Sequence, residues 1–190
     1  MKKFFSLVSL VSLVTLGYAQ TTWNIDQAHS KIGFNVTHMV VAEVEGRFKQ
    51  FEGKVISNSK DFNNAQVEFT AQVASVDTEN ERRDGHLRSD DFFSADKYPT
   101  ITFNGVLVKE GSKYVLKGKL TMRETTKDVS FDVTYGGTVN TGKGEKAGFK
   151  LNGKVNRQEY GLKWANKLES GEYVVGDVVE IECKLELNKA

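Results

Sequence analysis

The chain has 190 residues, with 26 Lys and Arg against 25 Asp and Glu, three His and one Cys. Charge this balanced, and spread along the chain, excludes a general nucleic-acid binder, which needs clustered positive charge to displace counterions. One cysteine excludes an intrachain disulfide, and the length suits a single domain with a sizeable core.

The first predicted element is a leader. Lys2 and Lys3 precede an apolar run from Phe4 to Leu16, and Gly17-Tyr18-Ala19 offers small residues where a signal peptidase cuts. This predicts a signal peptide over residues 1–19, cleavage after Ala19, and one domain over 20–190. The apolar run is too short and too rich in Ser and Thr for a spanning helix, so no stable membrane insertion is expected. Losing Lys2 and Lys3 leaves 24 basic residues against 25 acidic ones, a charge of −1. Export means the periplasm in a Gram-negative cell, and secretion otherwise.

Strands follow. Ile32, Phe34, Val36 and His38 alternate with polar or small residues, so one face meets an apolar interior and the other meets water. Gly46, Gly53, Gly105, Gly118 and Gly153 fall inside strand-like segments and mark bends, bulges or places where something packs closely, with a ligand approaching the backbone as the rival explanation. Asn58 to Asn64 is a longer loop. Val67, Phe69, Ala71 and Val73 form the next apolar series.

The alternation then stops. From Val76 to Phe93 charges crowd together, and two phenylalanines close the segment. Thr78-Glu79-Asn80-Glu81 has the form of a capping box, which predicts a short helix from about Glu79 to Leu87. Ser89 is placed to cap a second short turn, and Phe92 and Phe93 to tack the excursion onto the strands.

Period two resumes after Pro99, which needs no ladder hydrogen bond there. Ile101, Phe103, Gly105 and Leu107 form one strand, and Tyr114, Leu116, Gly118 and Leu120 another. Val129 to Tyr135, Phe149 to Val155 and Val179 to Leu187 complete the series. Glu110-Gly111-Ser112, Gly136-Gly137, Asn140 to Gly144 and Glu169-Ser170-Gly171 are turn-forming. Helical crossovers are missing, so the sheet is antiparallel. Eight or more such strands in one domain predict an all-β barrel or sandwich. Cys183 falls at an apolar strand position, which predicts a buried, inert thiol.

Catalytic constellations are absent from the pattern. His29, His38 and His86 show no metal-ligand spacing, and no Gly-x-Ser-x-Gly elbow occurs. No catalytic residue, metal or cofactor is therefore expected. His38 is either a satisfied core histidine or a group meeting a ligand head. Arg83, His86 and Arg88 could bind an anionic head group. The alternative is structural: Asp77, Asp84, Asp90 and Asp91 could pair with these arginines and staple the excursion to the barrel. The inward phenylalanines either fill a solid core or line a cavity.

Four blocks in order carry a family resemblance. They are Trp23 to Ser30 with Phe34 to His38, Val44 to Phe48 and Phe51-Glu52-Gly53; Ser75 to Thr78 with Arg83 to Phe93 and Tyr98-Pro99; Leu120 to Lys127; and Asn156 to Leu162 with Trp164 and Gly176 to Val179. They resemble the YceI-like family of exported, lipocalin-like, polyisoprenoid-binding proteins. Glu124 departs from the glycine common in that turn. The resemblance implies an eight-stranded antiparallel lipocalin-like barrel with short helical excursions. It implies a carrier without catalysis, with a long isoprenoid or similar lipid (a quinone or polyprenyl phosphate) as its partner, and it allows a homodimer. The expected binding residues are Phe34, Val36, His38, Phe48, Phe51, Phe69, Arg83, His86, Phe92, Phe103, Leu116, Phe131, Phe149 and Trp164. The rival classes are a lipid-acting hydrolase or metal enzyme, and a solid-core interaction module.

Overall fold

The computed structural model describes residues 20–190, and the expected signal peptide lies outside them. The strands are β1 (Thr21–Ile25), β2 (Lys31–His38), β3 (Ala42–Phe48), β4 (Phe51–Ser57), β5 (Ala65–Gln72) and β6 (Val76–Asp77). After helix α1 (Glu81–Arg88) come β7 (Thr100–Glu110), β8 (Lys113–Met122), β9 (Thr125–Asn140), β10 (Glu145–Asn156) and β11 (Val175–Lys189). Every named pairing is antiparallel, in the order β1-β4-β5-β7-β8-β9-β10-β11, and β1 pairs back onto β11. That closure selects the barrel over the sandwich that the alternation also allowed, and it is the eight-stranded barrel that the family resemblance implied. Closing the sheet removes the edges that an open sheet would expose.

The long last strand makes this topology work. Its final residues, Leu187 to Lys189, hold β1. Its earlier part, Val175 to Lys184, holds β2 instead. β3 and β6 continue outward from β2 as a branch. No helix among the described residues is long and apolar enough to cross a membrane.

Four interior glycines serve aromatic rings. A Cβ on Gly46 would lie 2.2 Å from Cζ of Phe34, its cross-strand partner. One on Gly153 would lie 2.2 Å from Cδ1 of Phe131, and Gly105 and Gly118 give the Phe103 ring the same room. The rings lie flat against the sheet where the glycines leave no side chain. Of the explanations expected at these positions, close packing is the one that these four glycines show.

Three local expectations fail for identifiable reasons. Gly136-Gly137 is not a turn: β9 runs on to Asn140, and Gly136 is the extra residue of a bulge, since Gly148 faces Gly137 but Phe149 faces Tyr135. Gly137 absorbs the distortion at φ 110°. The helix is capped by Asn80, whose side chain accepts from the Arg83 amide, not by Thr78. Asp84 draws Thr78 away, accepting from its amide at 2.9 Å and from its hydroxyl. Ser89 closes α1, its hydroxyl donating to the His86 carbonyl at 2.8 Å, so that hydroxyl does not cap the short turn that follows as expected, in which the Ser89 carbonyl accepts from the Phe92 amide at 3.1 Å.

One barrel end is plugged from the loop between β4 and β5. Phe62 is wholly buried there, with its ring 5.2 Å from Trp23, 5.1 Å from Phe149 and 5.4 Å from Tyr135. Its φ of 59° is a left-handed backbone that bulky residues rarely adopt. The neighbouring Asp61 fixes the loop. Its carboxylate accepts from the Ser59 hydroxyl, from the Asn63 amide at 3.2 Å and from Lys109 at 3.0 Å. Its carbonyl accepts from the Tyr114 hydroxyl at 2.7 Å. At the opposite end lie the β2–β3 tip, the α1 excursion, the β8–β9 turn and the segment from β10 to β11.

Candidate functional site

Between these two ends the barrel interior holds a cavity of about 230 Å³. Its walls come from the inward face of nearly every strand. Phe34 and Val36 from β2 and Phe48 from β3 form one side. Phe69 from β5, Phe103 from β7 and Leu116 from β8 form another, and Phe131 and Phe149 from β9 and β10 complete the circuit. Phe92, from the excursion, reaches in at the unplugged end. Period-two alternation is sufficient to gather the eight of these side chains that lie on strands, because one face of each strand turns inward; Phe92 is brought in by the excursion.

Five expected residues stand elsewhere. His38 is the last residue of β2, half-buried, paired with Val175 and Ala42, and outside the lining. Phe51 is buried in the core against Phe69, ring centroids 6.3 Å apart. Arg83 folds back on its own segment, donating from Nε to the Thr78 hydroxyl and from Nη2 to the Thr78 carbonyl, both at 2.7 Å. His86 and Trp164 sit one step behind the cavity. Their rings are 5.3 Å apart, and both contact Phe92, at 5.0 and 5.5 Å.

The excursion is stapled, but not by the expected pairs. Asp77 accepts from Arg47 at 3.1 Å, and Asp84 serves Thr78. Asp90 accepts from the Ser94 hydroxyl, and Asp91 meets His86 at 2.9 Å. Arg88 pairs with Glu81 at 3.1 Å. None of the four aspartates meets an arginine of the excursion.

Several lining residues escape the sequence reading. Phe93 lines the cavity beside Phe92 and packs edge-on against Phe48, centroids 5.9 Å apart. Met122, Leu162 and Val175 border the same end. Lys54 and Glu68 also border the cavity, but their charged ends pair in solvent at 2.9 Å.

Arg157 is the one deeply buried cation on the lining, with 4% of its surface exposed. Its Nε donates to the Gly176 carbonyl at 2.8 Å. Its Nη1 donates to the carbonyls of Leu162 at 2.6 Å and Trp164 at 2.9 Å. Its Nη2 donates to the Val175 carbonyl at 3.1 Å and to Asp177 at 3.2 Å. A guanidinium has five N–H groups in a fixed fork, and here all five are spent. Burial pushes its pKa down, with Asp177 opposing that shift. Arg157 is therefore a clasp that ties the β10–β11 segment across the barrel end, with no donor left for a ligand.

The remaining chemistry is muted. Cys183 also lines the cavity, and burial pushes its thiol up to about 12, far from a reactive thiolate. Asp26, His29 and Glu186 bring ligand atoms within 4.8 Å of one another. However, Lys146 already bridges the two carboxylates, 3.2 Å from Asp26. His29, Asn188 and Lys146 together hold the Asp26 carboxyl well below the usual range.

A closed antiparallel barrel, plugged at one end and hollow with apolar walls, is a lipocalin-like architecture. The YceI-like domain profile matches residues 23–187, and the chain belongs to that family. A UPF0312 protein of Staphylococcus epidermidis is 35% identical over 170 residues, covering 88% of this chain and 98% of that protein. Among solved structures, BcnA of Burkholderia cenocepacia superposes with a TM-score of 0.70 at 25% identity, covering 85% of this chain and 98% of that one. The YceI protein of Campylobacter jejuni superposes at 0.67 with 31% identity, covering 86% and 95%. A polyisoprenoid binding domain from Saccharophagus degradans, implicated in plant cell wall breakdown, shares the fold at 0.66 with 14% identity, covering 88% and 98%.

Proposed function

We propose that this chain is an exported carrier that shelters a long isoprenoid, such as a quinone or polyprenyl phosphate, inside its barrel. The observation that carries the reading is the apolar cavity between the Phe62 plug and the Arg157 clasp. Burying hydrocarbon contributes about 0.8 kcal/mol per CH₂ before ordering costs, so such a tube holds a tail without polar contacts. The Saccharophagus degradans domain, described as polyisoprenoid-binding, has this same fold. A solid-core interaction module does not fit a hollow barrel. The signal-peptide pattern expected over residues 1–19 supports export, and a carrier is needed where a hydrocarbon chain must cross water.

Two features refine the reading. The cavity is smaller than the roughly 300–1,000 Å³ of typical ligand pockets, so a long tail must displace ring side chains as it enters. Rings lying over glycine, such as Phe34 and Phe131, have only neighbouring side chains to push aside. In addition, Arg157 has no free donor and His38, Arg83 and His86 stand outside the lining. The head group therefore stays near the barrel end, and recognition is mainly of the tail.

The test loads delipidated protein with a long-tailed quinone and with the same quinone ring lacking its tail. Retention of the long-tailed form alone is expected. Phe131→Asp or Phe69→Asp should lower that retention at least tenfold, because a carboxylate in this cavity is poorly solvated. Undiminished retention by both variants while folded would sink the proposal.

A further inference from the structure

Seven large apolar residues are exposed among the described residues, and five of them gather at one end of the barrel: Met39, Val40, Val41, Tyr173 and Val178. The first three form the whole connection between β2 and β3, and Val41 is 89% exposed. The Met39 amide donates to the Val174 carbonyl at 2.8 Å, which fixes the tip beside Tyr173. Val36 and Val175, both on the cavity lining, stand three residues before and one residue after these two contact points. The apolar tip is thus continuous with the unplugged end of the cavity.

The tip is also strained. Met39 and Val40 have φ of 49° and 67°, a left-handed backbone suited to glycine or asparagine and unfavourable for a β-branched residue. Neither core packing nor turn chemistry explains three exposed apolar residues in such a turn, and strain of this kind points to function. From Met39 to Ala42 no side chain carries charge. Lys167 lies over the Tyr173 ring at 5.4 Å, a pairing of cation and amphipathic ring that suits the headgroup level of a bilayer.

We infer that this end docks on a lipid bilayer, with Met39, Val40 and Val41 inserted among the acyl chains and Tyr173 and Lys167 at headgroup level. A second copy of the chain is a poorer occupant. Five side chains on a convex tip fall well short of the roughly 20–30 residues a side that a stable dimer buries. Shallow insertion of a few apolar side chains instead gives weak, reversible attachment. The inference rests on the carrier reading for its purpose, since the bilayer is the place from which an isoprenoid is collected.

The test is flotation with vesicles of phosphatidylethanolamine and phosphatidylglycerol, using the protein in the form the expressing cell leaves it. Its companion variant combines Val40→Asn with Val41→Asp; asparagine tolerates the left-handed backbone, so the barrel should fold at least as well. The wild type should float, and the variant's bound fraction should fall at least tenfold, with quinone retention unchanged in both. Equal flotation of the two proteins, or none for the wild type, would overturn the docking surface. So would a concentration-dependent dimer that the variant abolishes without any vesicle binding. The two readings separate cleanly: a protein that retains quinone without floating loses only the docking surface, and one that floats but never retains quinone loses the carrier reading.

Discussion

Phe131 and Gly153 act as one unit. The ring needs the missing Cβ, because that atom would sit 2.2 Å from Cδ1, and the same relation joins Phe34 to Gly46. Gly153→Ala should therefore push the ring off its site and cost about 1–3 kcal/mol, the usual range for overpacking a core. Urea denaturation of wild type and variant measures it, and an unchanged midpoint would show the ring has slack. Sequence alternation is enough to mark Phe131 as inward. It does not reveal the glycine opposite, because the bulge at Gly136 shifts the register by one. Counting from the Asn140 to Gly144 turn without that bulge pairs Phe131 with Lys154. Cys183 was easier to read, since an apolar strand position in a barrel is a buried one. With its thiol pushed up to about 12, it should resist alkylation at pH 8 until the protein unfolds, a contrast that timed thiol labelling with and without urea displays.

Two loops decide which end of the barrel is shut. The β4–β5 loop holds Phe62 in place through Asp61, whose carboxyl is brought down to about 2 by its hydrogen bond from Ser59 and then by Lys109. A carboxyl depressed in the folded state stabilises it above the unfolded value near 4, and that contribution disappears as pH falls toward 2. Asp61→Asn should thus lower stability at pH 6, with a difference from wild type that shrinks between pH 4 and 2. A gap that stays constant through that range would mean the carboxylate charge is irrelevant to the loop. At the other end, Arg157 binds four carbonyls and one carboxylate. Arg157→Met leaves those acceptors without their donor, so a loss of about 3 kcal/mol is expected, together with faster exchange of bound quinone. Thermal unfolding and a stopped-flow exchange assay read the two effects separately. The sequence announces neither device. Arg157 sits in a polar run with no periodicity to mark it as buried, and its partners come from Leu162 to Asp177, a segment whose path only the fold defines. The α1 excursion was legible as a helix. Its cap was not, because Thr78 and Asn80 are both good capping residues and the choice is made by Asp84.

At the scale of the whole molecule, the strand pattern predicted a barrel or a sandwich, and for a barrel left open whether it was filled or hollow. The reason is that inward alternation is the same in both cases. The distribution of bulk shapes the cavity: large rings line the walls over glycines, and Phe62 fills one end. The most direct measurement of the carrier account is mass spectrometry of an organic extract from protein purified gently out of its native cells. The account predicts one isoprenoid per barrel, tail and head group identified together. Extracts repeatedly free of any lipid, from protein that also fails to take up quinones or polyprenyl phosphates, would contradict it.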